Sequence, residues 1–211
     1  MIVRMLRIVT AGAMFLLAAG VQAQEQTSKP WYLAVGGGAA WFSDQTVSGA
    51  ASGTVSMDTG YGLNAAIGRY LDDIRVLRLE LESVYESADI NNFNGVKASG
   101  STYNYGLMLN LLYDIHTDSK WIPYIGGGLG WSQVSVDKLL VSGTTLVDDS
   151  DAVFAWQFKG GIAYQFNPSI AVTAGYRYFG TNNLKLSGPS GTVNTDGSEI
   201  QNVEVGFRWH F

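Results

Sequence analysis

The sequence predicts an all-β chain, an eight-stranded antiparallel up-and-down β-barrel that crosses a membrane with its strands. Three observations carry this. Apolar and polar residues alternate with a period of two in segment after segment, which is the strand signature. These segments reach about 11 to 14 residues, beyond the usual 5 or 6 of globular sheets and close to the span of a tilted membrane strand. The connections alternate in length: Leu71–Ile74, Ile115–Lys120 and Asn167–Pro168 are short, whereas those near 43–56, 87–101, 134–151 and 180–198 are long and rich in Ser, Thr, Gly, Asn and Asp.

The last strand is the clearest. Val203, Val205, Phe207, Trp209 and Phe211 alternate with Glu204, Gly206, Arg208 and His210. Upstream, Ile170 to Phe179 sets Val172, Ala174, Tyr176 and Tyr178 against Thr173, Gly175 and Arg177. Phe154 to Phe166 sets Trp156, Phe158 and Ile162 against Gln157, Lys159 and Gly161. Tyr103 to Tyr113 offers Tyr105, Leu107, Leu109 and Leu111, with Asn104, Asn110 and Asp114 on the other face. Leu77, Leu79, Leu81 and Tyr85 alternate with Arg78, Glu80, Glu82 and Glu86. Trp31–Phe42, Met57–Tyr70 and Trp121–Gln133 are strands whose middles are dominated by Gly and Ala. The glycine runs 36–38 and 126–128 lack the Lys-Ser/Thr and the helix of a phosphate loop, and read as places of close strand approach.

Alternation alone does not say which face is inside, since a soluble ligand-binding barrel would turn the apolar face inward. The aromatics decide it. Trp31, Trp41, Tyr70, Tyr85, Tyr103, Tyr113, Trp121, Trp131, Trp156, Tyr164, Tyr178 and Trp209 collect towards strand ends, as two interfacial girdles require. The polar face is rich in Gly and Ala, which suits a narrow interior, and the chain ends on an aromatic strand. The apolar face is therefore read as lipid-facing. With an even strand number and short turns on one rim, both chain ends fall on the periplasmic side.

The N-terminus fits export. Arg4 and Arg7 precede an apolar run from Ile8 to Gly20, and Val21-Gln22-Ala23 has the small-x-small form of a cleavage site. Residues 1–23 are read as a signal peptide, 24–30 as a short periplasmic segment and 31–211 as an outer-membrane barrel domain. The run is shorter than the ~20 residues of a spanning helix. There is no Cys, hence neither a disulfide framework nor a lipid-anchored cysteine. Removing Arg4 and Arg7 from 13 basic residues, against 18 acidic ones, leaves the rest more acidic than the formal −5 of the whole chain. That balance excludes nucleic acid as a partner class.

The chain resembles the opacity-type, porin-family barrels of Gram-negative surface antigens. The resemblance rests on Pro123-Tyr124-Ile125-Gly126-Gly127-Gly128-Leu129-Gly130, on Phe154-Ala155-Trp156-Gln157 through Gly161-Ile162-Ala163-Tyr164, on Ala174-Gly175-Tyr176-Arg177-Tyr178-Phe179-Gly180, and on the ending Gly206-Phe207-Arg208-Trp209-His210-Phe211. It implies a surface role such as envelope integrity, adhesion or host interaction through the outer loops. It also implies that Val205, Phe207, Trp209 and Phe211 are read by the barrel-assembly machinery.

Chemistry is sparse. The inward face is expected to carry a structural ionic cluster of Arg78, Glu80, Glu82, Glu86, Asp114, Lys159, Arg177, Glu204 and Arg208, four cations against five carboxylates, filling a barrel only wide enough for side chains. Glu80 and Glu82 sit among basic partners, so pairing rather than acid–base work is the reading. The two histidines, His116 and His210, fall at the periplasmic rim, away from the Ser- and Thr-rich loops, so no nucleophile–base set is read. Asp148, Asp149 and Asp151 could in principle hold Ca²⁺ but read as a solvated acidic loop. No cofactor, metal or catalytic residue is assigned; the function read is a non-enzymatic surface scaffold, the alternatives being passage of small apolar molecules through a narrow or laterally open barrel, or lipid modification. The mature chain is expected to fold only with detergent or lipid and to shift its gel mobility on boiling. A folded, monodisperse protein in plain buffer would reverse the inside–outside assignment.

Overall fold

The computed structural model describes residues 29–211 apart from 50, 51, 72, 74, 142, 143, 189 and 190. Residues 1–23, read from the sequence as a signal peptide, and most of the segment 24–30 lie outside the described residues. The described residues form twelve strands: β1 (Trp31–Phe42), β2 (Gln45–Gly49), β3 (Gly53–Met57), β4 (Gly60–Tyr70), β5 (Leu77–Phe93), β6 (Val96–Asp114), β7 (Trp121–Val141), β8 (Thr144–Asn167), β9 (Ile170–Thr181), β10 (Leu184–Gly188), β11 (Gly191–Thr195) and β12 (Glu199–His210). Eight of them close an antiparallel barrel in the order β1-β4-β5-β6-β7-β8-β9-β12, with β12 pairing back onto β1 from Tyr32↔His210 to Phe42↔Ile200. Closure matters because a free edge in hydrocarbon would leave backbone N–H and C=O groups without partners.

The faces sort as the alternation requires. Val205 is 66% exposed, Leu129 59% and Leu109 53%, whereas Glu82 and Asn110 are fully buried. In a soluble protein this would be inverted; here the exposed residues form the lipid-facing wall. Trp31, Tyr113, Trp121 and Trp209 are exposed at the periplasmic end, and Trp41, Tyr61 and Trp131 at the outer end. Tyr70 departs from the expected girdle. It closes β4 on the inward parity, is buried, and donates its hydroxyl to Asp114 at 2.8 Å.

The segments expected as outer loops are largely strand. β5 and β6 continue to a two-residue turn at Asn94-Gly95, with positive φ at both (50° and 78°) and Phe93 opposite Val96. That is the mirror-image turn whose twist matches paired strands, and Asn-Gly is the dipeptide that adopts it. β7 and β8 likewise extend to Val141↔Thr144. The other four barrel strands are interrupted and then continued: β1 by β2, β4 by β3, β9 by β10 and β12 by β11.

Pairing resumes in register where broken strand meets broken strand, whereas β3 rejoins β5 through a register shift at Ser56/Met57. Ala40 faces Gly60 below the break and Gln45 faces Val55 above it, with equal numbers of residues between. The same holds from Phe42↔Ile200 to Val47↔Thr195, and from Gly180↔Glu199 to Leu184↔Thr195. β10 also donates the Lys185 N–H to the Asp151 carboxylate of β8 at 3.0 Å. The outer tier is thus the same wall carried upward. Register shifts in the unbroken strands fall at or above this level too, at Asp89/Asn92, Ser99/Ser101 and Val136/Leu139, apart from one at Gln165/Asn167 beside the periplasmic turn. A ladder can be left incomplete only where water reaches it. This band of breaks and bulges, directly above Trp41 and Tyr61, therefore marks the outer edge of the hydrocarbon.

Leu109→Arg, at mid-height on the lipid-facing wall, is expected to cost about 2–4 kcal/mol in urea unfolding from lipid vesicles. Ser99→Arg, exposed above the break, is expected to stay within about 0.5 kcal/mol of the parent chain.

Candidate functional site

The barrel interior holds the densest chemistry. Inward parity on β5 presents Arg78, Glu80, Glu82 and Glu86; β6 adds Asp114, β8 Lys159, β9 Arg177, and β12 Glu204 and Arg208. Eight of these nine form one chain of alternating sign. Arg208 lies 3.6 Å from Asp114, which accepts from Arg78 Nε at 2.8 Å; Arg78 also reaches Glu80 at 3.2 Å. Lys159 bridges Glu80 (3.3 Å) and Glu82 (2.8 Å), and Arg177 bridges Glu82 (2.8 Å) and Glu204 (2.8 Å). The chain starts and ends on β12 after crossing the lumen through β5, β6, β8 and β9. Each interior member is flanked by two opposite charges, which offsets the several kcal/mol that each buried ion loses by leaving water.

Glu86 stands apart. Fully buried, it accepts from Asn202 Nδ2 at 2.7 Å and Asn104 Nδ2 at 2.8 Å and makes no ion pair closer than 4.0 Å among the described residues. Ser132 in turn donates to Asn104. With four cations and five carboxylates on the inward face, one carboxylate is held by amides instead of by charge.

Neutral partners complete the network, and period-two reading alone did not single them out. Asn110 donates to Glu80 (3.1 Å) and Glu82 (2.7 Å), and Gln157 to Glu82 (2.7 Å). Asn64 donates to Glu204 at 3.0 Å. At the periplasmic end Tyr32 and Tyr124 clamp two guanidiniums: Arg78 lies 5.5 and 5.2 Å from their ring centres, and Arg208 lies 5.2 and 5.9 Å away. Such contacts gain when desolvated. His210 packs against Tyr70 and Tyr32 at 6.1 and 5.7 Å beneath this clamp. The signal for these residues was present, since each polar or aromatic residue sits on the parity already assigned to the interior.

Glycine makes the room. A Cβ at Gly68 would stand 2.1 Å from the Tyr32 ring, and one at Gly161 or Gly175 would stand 2.6 Å from the Tyr124 hydroxyl. Above the ionic chain apolar side chains share the interior with the Glu86 group: Ala40, Val84, Met108, Ala155, Phe179 and Ile200 pack together. A second apolar group, Val47, Val55, Ile90 and Ala98, fills the outer tier. A small polar cavity lies beside the chain between Lys159, Glu204 and Arg208. His116 lies in the turn between β6 and β7, at the periplasmic rim like His210. Val205, Phe207, Trp209 and Phe211 all face outward on or next to β12.

Arg177→Met leaves Glu82 and Glu204 short of a cation. It is expected to destabilise the barrel by about 3–5 kcal/mol, read as a lower urea midpoint in lipid vesicles.

Comparison with known proteins agrees with this architecture. The family model described as outer membrane protein beta-barrel domain matches residues 11–211. An outer membrane protein of Gluconacetobacter diazotrophicus is 34% identical over 119 residues, covering 49% of this chain and 32% of its own length. Major surface antigen 4 of Anaplasma marginale is 35% identical over 103 residues, covering 47% and 33%. The chain thus spans about a third of the length of the curated relatives it matches. Among solved structures, the outer membrane protein OprG from Pseudomonas aeruginosa superposes with a TM-score of 0.59 at 18% identity, over 88% of this chain and 99% of that one. Lipid-facing wall, closed antiparallel ladder and matched domain together make this chain a member of the outer membrane protein beta-barrel domain family, seated in the bacterial outer membrane.

Proposed function

We propose that the chain works without enzymatic activity as a surface scaffold, holding an outer tier of paired strands above the membrane for envelope integrity, adhesion or contact with a host or environmental ligand. One observation carries this reading: the lumen is crossed by an ionic chain while the wall continues well beyond the bilayer. A transport channel would be wasted on a filled lumen, whereas a raised, ordered rim is what a binding surface needs. The absence of enzymatic activity is supported by the placement of His116 and His210 at the periplasmic end, on the opposite side from the hydroxyl-rich outer tier. In this reading the barrel-assembly machinery recognises Val205, Phe207, Trp209 and Phe211 during insertion.

A second reading, passage of small apolar molecules, is favoured by a specific feature. Residues 41–44 and 56–59 face each other without a ladder, and Phe42 and Met57, on either side of this gap, join the apolar groups inside. The two readings separate experimentally. A scaffold gives no large single-channel conductance in planar bilayers, and its deletion leaves uptake of small apolar compounds unchanged while reducing adhesion or envelope resistance. Uptake that falls on deletion, with adhesion and envelope resistance unaltered, would favour passage instead.

A further inference from the structure

The β2–β3 hairpin is fastened to its neighbour by very little. Among the described residues only Val55↔Phe93, Ser56↔Asn92 and Met57↔Ile90 pair β3 with β5, and a register shift interrupts them. Beyond this short ladder Asn94, at the tip of the β5–β6 hairpin, takes over. Its Oδ1 accepts the Thr54 N–H at 2.9 Å, its Nδ2 donates to the Ser52 carbonyl at 3.1 Å, and its own N–H bonds the Thr54 carbonyl at 2.9 Å. Gly53 leaves the room, since a Cβ there would stand 2.4 Å from both polar atoms of the amide. One carboxamide, using its donor and its acceptor together, latches the tips of two hairpins.

The latch is also the one Asn-Gly dipeptide of the chain. Asn94 and Gly95 are both exposed. The Gly95 N–H has no hydrogen-bond partner among the described residues, and beyond its chain neighbours nothing lies within 4 Å of where a Gly95 Cβ would be. An unhindered backbone nitrogen next to an Asn side chain supports a known intramolecular reaction. The Gly95 nitrogen attacks Asn94 Cγ, the Cγ–Nδ2 bond breaks, and ammonia leaves with the proton given up by that nitrogen. Water then opens the five-membered imide to aspartate or isoaspartate. Asn92, Asn183 and Asn194 precede Phe93, Leu184 and Thr195, whose side chains crowd the same approach.

We propose that Asn94 is a self-modification site whose reaction releases the latch irreversibly. The two uses of the amide compete: bonded to Ser52 and Thr54 it is held away from the Gly95 nitrogen, so the reaction proceeds while the latch is open. Its products cannot close the latch again. Aspartate sets a carboxylate against the Ser52 carbonyl, acceptor to acceptor, and isoaspartate adds a backbone atom to a two-residue turn. The β2–β3 hairpin then keeps only its short ladders to β5 and β11, and the rim gains a negative charge. The change is independent of which partner the rim meets.

The test uses the full mature chain, folded into lipid vesicles and kept in warm, mildly alkaline buffer. Mass spectrometry of digests follows amide-to-acid conversion and isoaspartate at each Asn. The parent is expected to convert at Asn94 ahead of Asn92, Asn183 and Asn194. Gly53→Ala, whose methyl displaces the Asn94 amide, is expected to convert several-fold faster at Asn94 while keeping its heat-modifiable gel mobility. In Asn94→Asp, hydrogen exchange over residues 45–57 is expected to rise while the strands within the bilayer stay protected. No excess conversion at Asn94 overturns the modification site, and a Gly53→Ala rate no higher than the parent's overturns the competition. Equal hairpin exchange in Asn94→Asp and parent overturns the latch.

Discussion

The constraint from which the rest follows is that no backbone polar group can be left unpaired in hydrocarbon. It forces closure of β12 onto β1, fixes the inside–outside parity of every strand, and confines ladder defects to the height where water is available. The band of breaks at 41–44, 56–59, 182–183 and 196–198 is the visible edge of that rule. Below it the pairing is nearly uninterrupted; above it the wall bends, bulges and resumes.

Closure creates a second problem, because the polar face is turned into a lumen too narrow for bulk water. The solution is compositional. Glycines at inward positions such as Gly68, Gly161 and Gly175 leave space for Tyr32 and Tyr124, and these in turn hold Arg78 and Arg208 in place. Ions of alternating sign then cross-brace strands far apart in sequence; Lys159 and Glu82 are 77 positions apart. The glycine-rich strands, weak as sequence signals, are thus the structural counterpart of the charge-rich ones.

Much of this was legible from period two alone. β5, β6, β8, β9 and β12 were plain because charge and bulk alternate along them, and the inward charged set followed from the same parity. Glu86 was grouped with the ionic residues because sequence shows sign and face but not reach; its neighbours are Asn104 and Asn202. Tyr70 looks like a girdle residue because it ends a strand, although its even number shares the inward parity of Asn64 and Ala66. The outer strands were hidden by composition. Ser, Thr, Gly and Asn read as loop, yet strands outside the membrane have no hydrocarbon to demand apolar residues. Asn94-Gly95 was the one local cue, a hairpin turn inside a polar stretch.

In-register continuation across the breaks has a consequence for how such a surface can change. Because equal numbers of residues lie on the two sides of the breaks beneath them, the hairpins β2–β3 and β10–β11 keep their facing without borrowing alignment from the strands below. Each hairpin behaves as a cassette seated on a socket. It can be lengthened, shortened or exchanged in matched pairs, and the wall in the bilayer keeps its alignment. A molecule built this way can diversify what it displays while conserving how it is inserted.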